Sequence, residues 1–417
     1  VVFVGDAPTV AQVSESEIDG FHASTTYGIT INGKTVTQIG TTNAPTTIGL
    51  LVTALNNSTI PEFAEITWAE GSSTSHVKGT ADTAGRPFTA ASYTTGASGT
   101  MDPTTGNTIT AVTANSGPND AAVTANYSGA ALPTNSDTLI FQNSNVDFLY
   151  NLEQYATNTF AITQHQSYTG RIGLADINTD GSTPYYEYRE RFFKQRATVI
   201  RLGTGNGLGS GRVRLDSNTA TGVTVTVDNT GNAVNQDLGA VQIKGMTGDI
   251  VARNGTIGLA LLEDESATIN TLDIFNATVQ AGASCGVKDV NNRGTGTVVY
   301  RKVSGSSDDI NIGGGSITKN GTGTVTSATV NEGTLVWAVD GSGPPTITTL
   351  VVGPGGTFDA SAALDAFTLT NCTVHPGGVL LDPNGLGTYS NGVIIGGNGR
   401  IEDVTLDVGR GKTLTPS

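Results

Sequence analysis

From about residue 240 onward, one pattern of polar and apolar positions dominates the chain. A small residue, then usually Thr, then a β-branched or apolar residue recurs. It appears at Gly255-Thr256-Ile257, Ala277-Thr278-Val279, Gly296-Thr297-Val298 and Gly315-Ser316-Ile317. It continues at Gly333-Thr334-Leu335, Gly356-Thr357-Phe358, Gly378-Val379-Leu380 and Gly399-Arg400-Ile401. The steps are 22, 19, 19, 18, 23, 22 and 21 residues. A period near twenty, with a turn residue before each β residue, is the signature of stacked rungs. One rung cannot bury its apolar side alone, and stacking buries a continuous core. Leucine-rich repeats have similar periods, but the Leu-x-x-Leu-x-Leu signature is absent. The pattern predicts a mainly β chain whose C-terminal half is a right-handed parallel β-helix, a β-solenoid of about 20 residues per rung.

Upstream the pattern changes. Residues 1–23 show little periodicity and read as an N-terminal arm. Residues 24–100 read as a small α+β domain. Tyr27, Ile29 and Ile31 alternate with polar positions, and Asn32-Gly33 then marks a hairpin. Ile48, Leu51, Val52 and Leu55 fall on one helical face, with Thr46 or Thr47 as the predicted N-cap. Ala64, Ile66 and Trp68 alternate as a strand, and His76-Val77 and Pro87-Phe88 complete a single antiparallel sheet under the helix. Residues 101–137 read as a Gly/Ser/Thr-rich linker. Residues 138–235 read as the opening region of the solenoid, carrying a Tyr/Arg-rich segment, and residues 236–417 as its repeats.

Composition fits this reading. The 417 residues include 55 Gly, while charged residues make up only 14%. Thr, Val and Ile suit pleated strands, and Gly, Asn and Asp suit turns. The formal charge, 21 − 36 = −15, argues against nucleic acid or an anionic membrane as the main partner. No apolar run approaches the roughly 18 residues of a membrane span. No secretory signal is visible at Val1–Asp6, and the missing initial Met leaves N-terminal processing open. Cys285 and Cys372 fall several rungs apart, which predicts two free, buried thiols.

Candidate chemistry is sparse. Asp176-x-Asn178-x-Asp180-Gly181, with Glu187 behind it, has the spacing of a calcium-binding loop. The competing and preferred reading is an Asx-rich turn between strands, with no cofactor. Residues 185–214 concentrate Tyr and Arg. Tyr186, Tyr188, Arg189, Arg191 and Arg196 read as a docking interface or as fold support, ahead of a surface for single-stranded nucleic acid. The Gly203–Gly211 stretch lacks the Lys-Ser/Thr of a phosphate loop. His22, His76, His165 and His375 have no metal spacing. Asp359, Asp365 and Asp382 are the only carboxylates suggestive of a glycosidase-like face, and they fall at different rung phases. The expectation is that the chain is not an enzyme.

Several segments resemble a group of uncharacterised tailed-phage virion structural proteins with a β-solenoid, of capsid decoration or cement type. They are Tyr27–Gly33, Leu55-Asn56, Pro61-Glu62-Phe63 and the Asn126–Ile140 stretch, with its Asn-aromatic-x-Gly turn, Pro133 and Asp137-Thr138. Asp147–Tyr150, Tyr168–Leu174, Tyr186–Arg189 and Gly203–Gly211 extend the resemblance over most of residues 24–215. The resemblance implies a location on the capsid surface of a virion and two partners, the major capsid protein and further copies of the chain. A trimer is the default by that analogy. A tail fibre or tailspike binding or cleaving host glycans, and a secreted or surface adhesin, are the alternatives.

Overall fold

A computed structural model of the protein describes residues 1–96, 98–102, 110–174, 191–231, 240–300, 307–340, 344–397 and 404–409. It is 53% strand and 6% helix, with a parallel β-solenoid of about 10 turns spaced about 22 residues apart. The sheet register reproduces the sequence pattern. Thr256 pairs with Thr278, Thr278 with Thr297, Thr297 with Ser316, Ser316 with Thr334, Thr334 with Thr357 and Thr357 with Val379. The next partner in this column is Thr405, where the spacing predicted Arg400. The last step is therefore longer than the sequence period.

Alternation explains the core. Ile257, Val279, Val298, Ile317, Leu335, Phe358 and Leu380 follow these column residues and are buried, so the column itself faces outward. Gly333 shows why the corner needs glycine. Its φ is +83°, and an added Cβ would collide with the Gly315 carbonyl one rung below. At the later corners the left-handed residue moves one place earlier, to Gly355 and Gly377. Cys285 and Cys372 are free and buried, as the rung count predicted, and burial pushes both thiols up to about 12.

The solenoid begins at the start of the chain. Val2 and Phe3 pair in parallel with Ile140 and Phe141, so the segment between them is an insertion within the first rungs. The expected arm over residues 1–23 is thus corrected. Val2–Phe3 is a solenoid strand, and Val13–Gly20 is an antiparallel strand of the inserted domain. The expected linker also carries structure. Thr100–Asp102 and Thr110–Thr113 both pair with Val13–Gly20.

The inserted domain has two antiparallel sheets where one was expected. One has the order Ile66–Glu70, His76–Ala81, Val13–Gly20, Thr100–Asp102, with Thr110–Thr113 also on Val13–Gly20. The other has the order Lys34–Ile39, Thr25–Ile31, Ala90–Gly96. Pro87 and Phe88 precede this last strand and lie outside it. Helix Ala44–Asn56 buries Ile48, Leu51 and Leu55 against the domain's core. Its N-cap is Asn43, whose Oδ1 accepts from Thr46 N–H at 2.9 Å, so Thr46 and Thr47 lie inside the helix.

Asn126 ties insertion to solenoid. Its Oδ1 accepts from Ala7 N–H at 2.9 Å, and its Nδ2 donates to Gly117 O and Asp120 O, each at 2.8 Å. Tyr127 beside it is buried and donates its hydroxyl to Ala121 O at 2.7 Å. Asp137 caps the following turn by accepting from Thr134 N–H and Oγ1, and these hydrogen bonds hold its carboxyl below the usual carboxylate range.

Candidate functional site

A cleft of about 630 Å³ lies where the inserted domain meets the first rungs. One wall is the Asn32-Gly33 hairpin turn together with Pro87–Thr89. These segments are neighbours because Ile31 pairs with Ala90 across the three-stranded sheet. Asn32 and Gly33 both have positive φ, at +49° and +73°, the geometry of a two-residue hairpin turn. Gln12 clamps the Phe88 backbone from both sides. Its Nε2 donates to Phe88 O at 2.8 Å, and its Oε1 accepts from Phe88 N–H at 3.1 Å.

The other wall is Leu149–Gln154, on the solenoid side. Asn119 and Ala121 run alongside it. Leu149 and Tyr150 N–H donate to Asn119 O, and Ala121 N–H donates to Tyr150 O at 2.9 Å. Buried Asp120 accepts from Asn151 Nδ2 at 2.7 Å and so fixes that side chain at the rim. On the opposite wall the fully buried Glu62 carboxylate is 2.7 Å from Lys34 Nζ. Burial works to raise this carboxyl, but Lys34 and Asn32 outweigh it and hold Glu62 below the ordinary carboxylate range.

Most residues singled out in the sequence lie elsewhere. Asp176, Asn178, Asp180, Glu187, Tyr186, Tyr188 and Arg189 fall outside the described residues. Among the described residues, no group of three or more His, Cys, Asp or Glu side chains could hold a metal ion. Arg191 is half-buried and Arg196 is exposed. The aromatic residues of this segment turn inward. Phe192 and Phe193 are buried, with Phe193 edge-on to Phe148 at 5.1 Å, so neither presents a face on which a base could stack. Arg214 is buried and Arg212 donates to Gly173 O, which spreads the cluster between core support and surface.

The acidic trio does not converge. Asp359 accepts from Ser361 N–H in a local turn. Asp382 is fully buried and accepts from Leu386 N–H, Gly387 N–H and Tyr389 Oη at 2.9–3.2 Å, which makes it an organiser of its own corner. A different constellation went unseen in the sequence. Ser73 Oγ hydrogen-bonds His76 Nδ1, and His76 Nε2 lies 3.4 Å from Glu17. This order of hydroxyl, imidazole and carboxylate can move a proton, yet Ser73 sits on an exposed turn. A substrate there would stay in water, where electrostatic stabilisation of an oxyanion is weak. The arrangement also clamps the turn, since Ser75 Oγ donates to Glu17 at 3.2 Å.

The fold and its cleft define a class: a parallel β-solenoid with a small domain inserted after its first strand. Comparison of the chain with family models, curated proteins and solved structures finds no match.

Proposed function

We propose that the chain is a non-enzymatic virion structural protein, a capsid decoration protein that cements the shell. Its partners in this reading are the major capsid protein and copies of itself in a trimer. One observation carries it, an outward column without charge in a chain of net charge −15. The outward column Thr256, Thr278, Thr297, Ser316, Thr334, Thr357, Val379, Thr405 crosses eight rungs without a charged residue. Two residues along, Gln280, Val299, Thr318 and Val336 continue the uncharged surface, and Asp359 and Asp407 bring charge to its last rungs.

Such a face docks without stripping water from charges, which is where burial becomes expensive. Five rungs at about 4.8 Å and four residues of strand give a strip of roughly 300 Å² that is uncharged across its width. A stable interface takes about 800 Å² per partner, so the strip supplies over a third and the inserted domain would supply the rest. Area buried across capsomer joints would then add to the free energy needed to open the shell.

Quantitative mass spectrometry of purified virions against the major capsid protein tests this. Hundreds of copies per particle are expected. A few to a few dozen would move the chain to the tail as a fibre or spike, and none would end the virion reading. Thr297→Arg with Thr334→Arg should abolish capsid binding while leaving the melting temperature unchanged, because both side chains point out of the core.

A further inference from the structure

We infer that the cleft between the inserted domain and the first rungs is a binding site for a neutral oligosaccharide. The volume, about 630 Å³, lies in the roughly 300–1,000 Å³ range of small-ligand sites, and such sites favour domain junctions. Its lining alternates in chemistry. Pro87 and Leu149 supply apolar surface, backed by buried Ile31, Phe88 and Leu152. Asn32, Thr89, Asn151, Glu153 and Gln154 supply hydrogen-bonding groups.

A sugar ring has the complementary pattern. Its C–H faces are apolar, and each hydroxyl both donates and accepts. Amide side chains meet that need, because each carries an acceptor oxygen and two N–H donors. The charge pattern narrows the ligand further. Neither Lys nor Arg lines the cleft, and its one ionisable lining side chain that is charged at neutral pH is Glu153. An anionic sugar or a phosphate would meet repulsion there, while a neutral glycan would meet a carboxylate acceptor.

The site is also held in advance. Asp120 fixes Asn151, and Gln12 fixes the backbone of Phe88. Rigid walls lower the ordering cost of binding, which matters for a ligand that gains little per hydroxyl. The inference does not depend on the virion reading, and neither result below bears on particle copy number.

The test uses the full chain with four neutral probes: maltohexaose, cellohexaose, chitohexaose and mannohexaose. Saturation-transfer NMR should show contact with at least one of them, and calorimetry should give its Kd. Thr89→Trp, which fills the cleft from an exposed position, and Gln154→Ala should each weaken binding by about tenfold or more. Both should keep the wild-type melting temperature, since both side chains are exposed. Sulfated oligosaccharides should bind less well than their neutral counterparts. Silence from all four probes, undiminished binding in Thr89→Trp, or preference for a sulfated ligand would overturn the assignment.

Discussion

The first rungs and the later repeats share one geometry and fill it differently. In the repeats an inward column runs Leu272, Val290, Ile310, Ala328, Leu350, Cys372, all buried and none aromatic. In the first rungs the inward column runs Phe3, Phe141, Gln164, Leu202, Val227, Ala252. Phe3 packs edge-on against Phe148 at 4.9 Å and Tyr127 at 5.9 Å, and Phe141 lies 5.2 Å from Tyr168. The repeats do bury rings in other columns, at Tyr300, Trp337 and Phe358, but there Lys319 separates the first two. In the first rungs the rings gather instead into one cluster, which Tyr127 joins.

The sharpest way to break this comparison is Phe3→Ala. Phe3 is fully buried and belongs to the strand that begins the stack. The loss should be about 3–5 kcal/mol, measured by urea unfolding. Ile310→Val in a middle rung should cost only about 0.5–1.5 kcal/mol, because adjacent rungs hold the site in shape. A Phe3→Ala loss as small as that of Ile310→Val would mean that the ring cluster contributes no more than an ordinary rung.

The repeats contain one exception, and it gives the next largest effect. Lys319 is fully buried in an inward column between Tyr300 and Trp337, with Nζ 5.6 Å from the centre of the Tyr300 ring. Burial pulls its ammonium down from 10.5 to about 8. Below pH 8 the group is charged in both folded and unfolded chains, and folding bears the whole desolvation cost. Between about 8 and 10.5 the folded protein releases the proton first, so this cost fades as pH rises. Lys319→Met should therefore raise stability at pH 7 by up to about 3 kcal/mol. The gap from wild type should close by pH 10.5. Comparing the two proteins cancels the titration of Cys285 and the other buried groups. A gap that stayed constant with pH would remove the charge as its cause.

The repeats were far more legible in the sequence than the inserted domain. Glycine corners and alternating β-branched residues recur, and each repetition supports the others, so Thr256 through Val379 could be placed in register from spacing alone. The last position in the column was missed because Val379 pairs with Thr405, farther along than the spacing predicted. In the inserted domain nothing repeats. Strand Val13–Gly20 buries Ser14 and Ser16, small polar residues that carry no hydrophobic alternation, and it was read as an arm. Asn43 was passed over as a cap because two Thr residues stood nearer the apolar face. The cleft was invisible because its walls are two turns far apart in the chain, brought together by the insertion of one unit into the other. Ser73, His76 and Glu17 were missed because Glu17 sits on that unrecognised strand.

The first rungs have their own exception in Gln164. It is fully buried between Phe141 and Leu202, and neither amide atom has a hydrogen-bond partner among the described residues. A buried amide without partners forfeits its bonds to water and gains nothing in return. Gln164→Leu keeps the volume and removes the polar atoms, so stability should rise by about 1–3 kcal/mol. Thermal unfolding would show it. A loss instead would mean that the amide is satisfied by water held inside the stack.

The smallest effects distinguish the two regions on their outer corners. Asparagine ladders run along both. In the repeats Asn311 Nδ2 donates to Asn291 Oδ1 at 3.0 Å, and Asn291 Nδ2 donates to Asp273 at 2.9 Å. In the first rungs Asn254 Nδ2 donates to Asn229 Oδ1 and Asn229 Nδ2 to Gln166 Oε1, each at 3.0 Å. Gln166, nearly buried, passes the chain on to Gly205 O at 2.7 Å in the glycine-rich loop. The first ladder is exposed, and water can replace what a substitution removes. The second ends on a side chain that water reaches poorly, so a lost partner is not replaced. Asn311→Ala should cost about 0.5 kcal/mol or less, and Asn229→Ala about 1–1.5 kcal/mol, both by urea unfolding. Equal costs would mean that the glycine-rich loop does not depend on the ladder. The greater reliance of the first rungs on specific partners would then rest on their aromatic core alone.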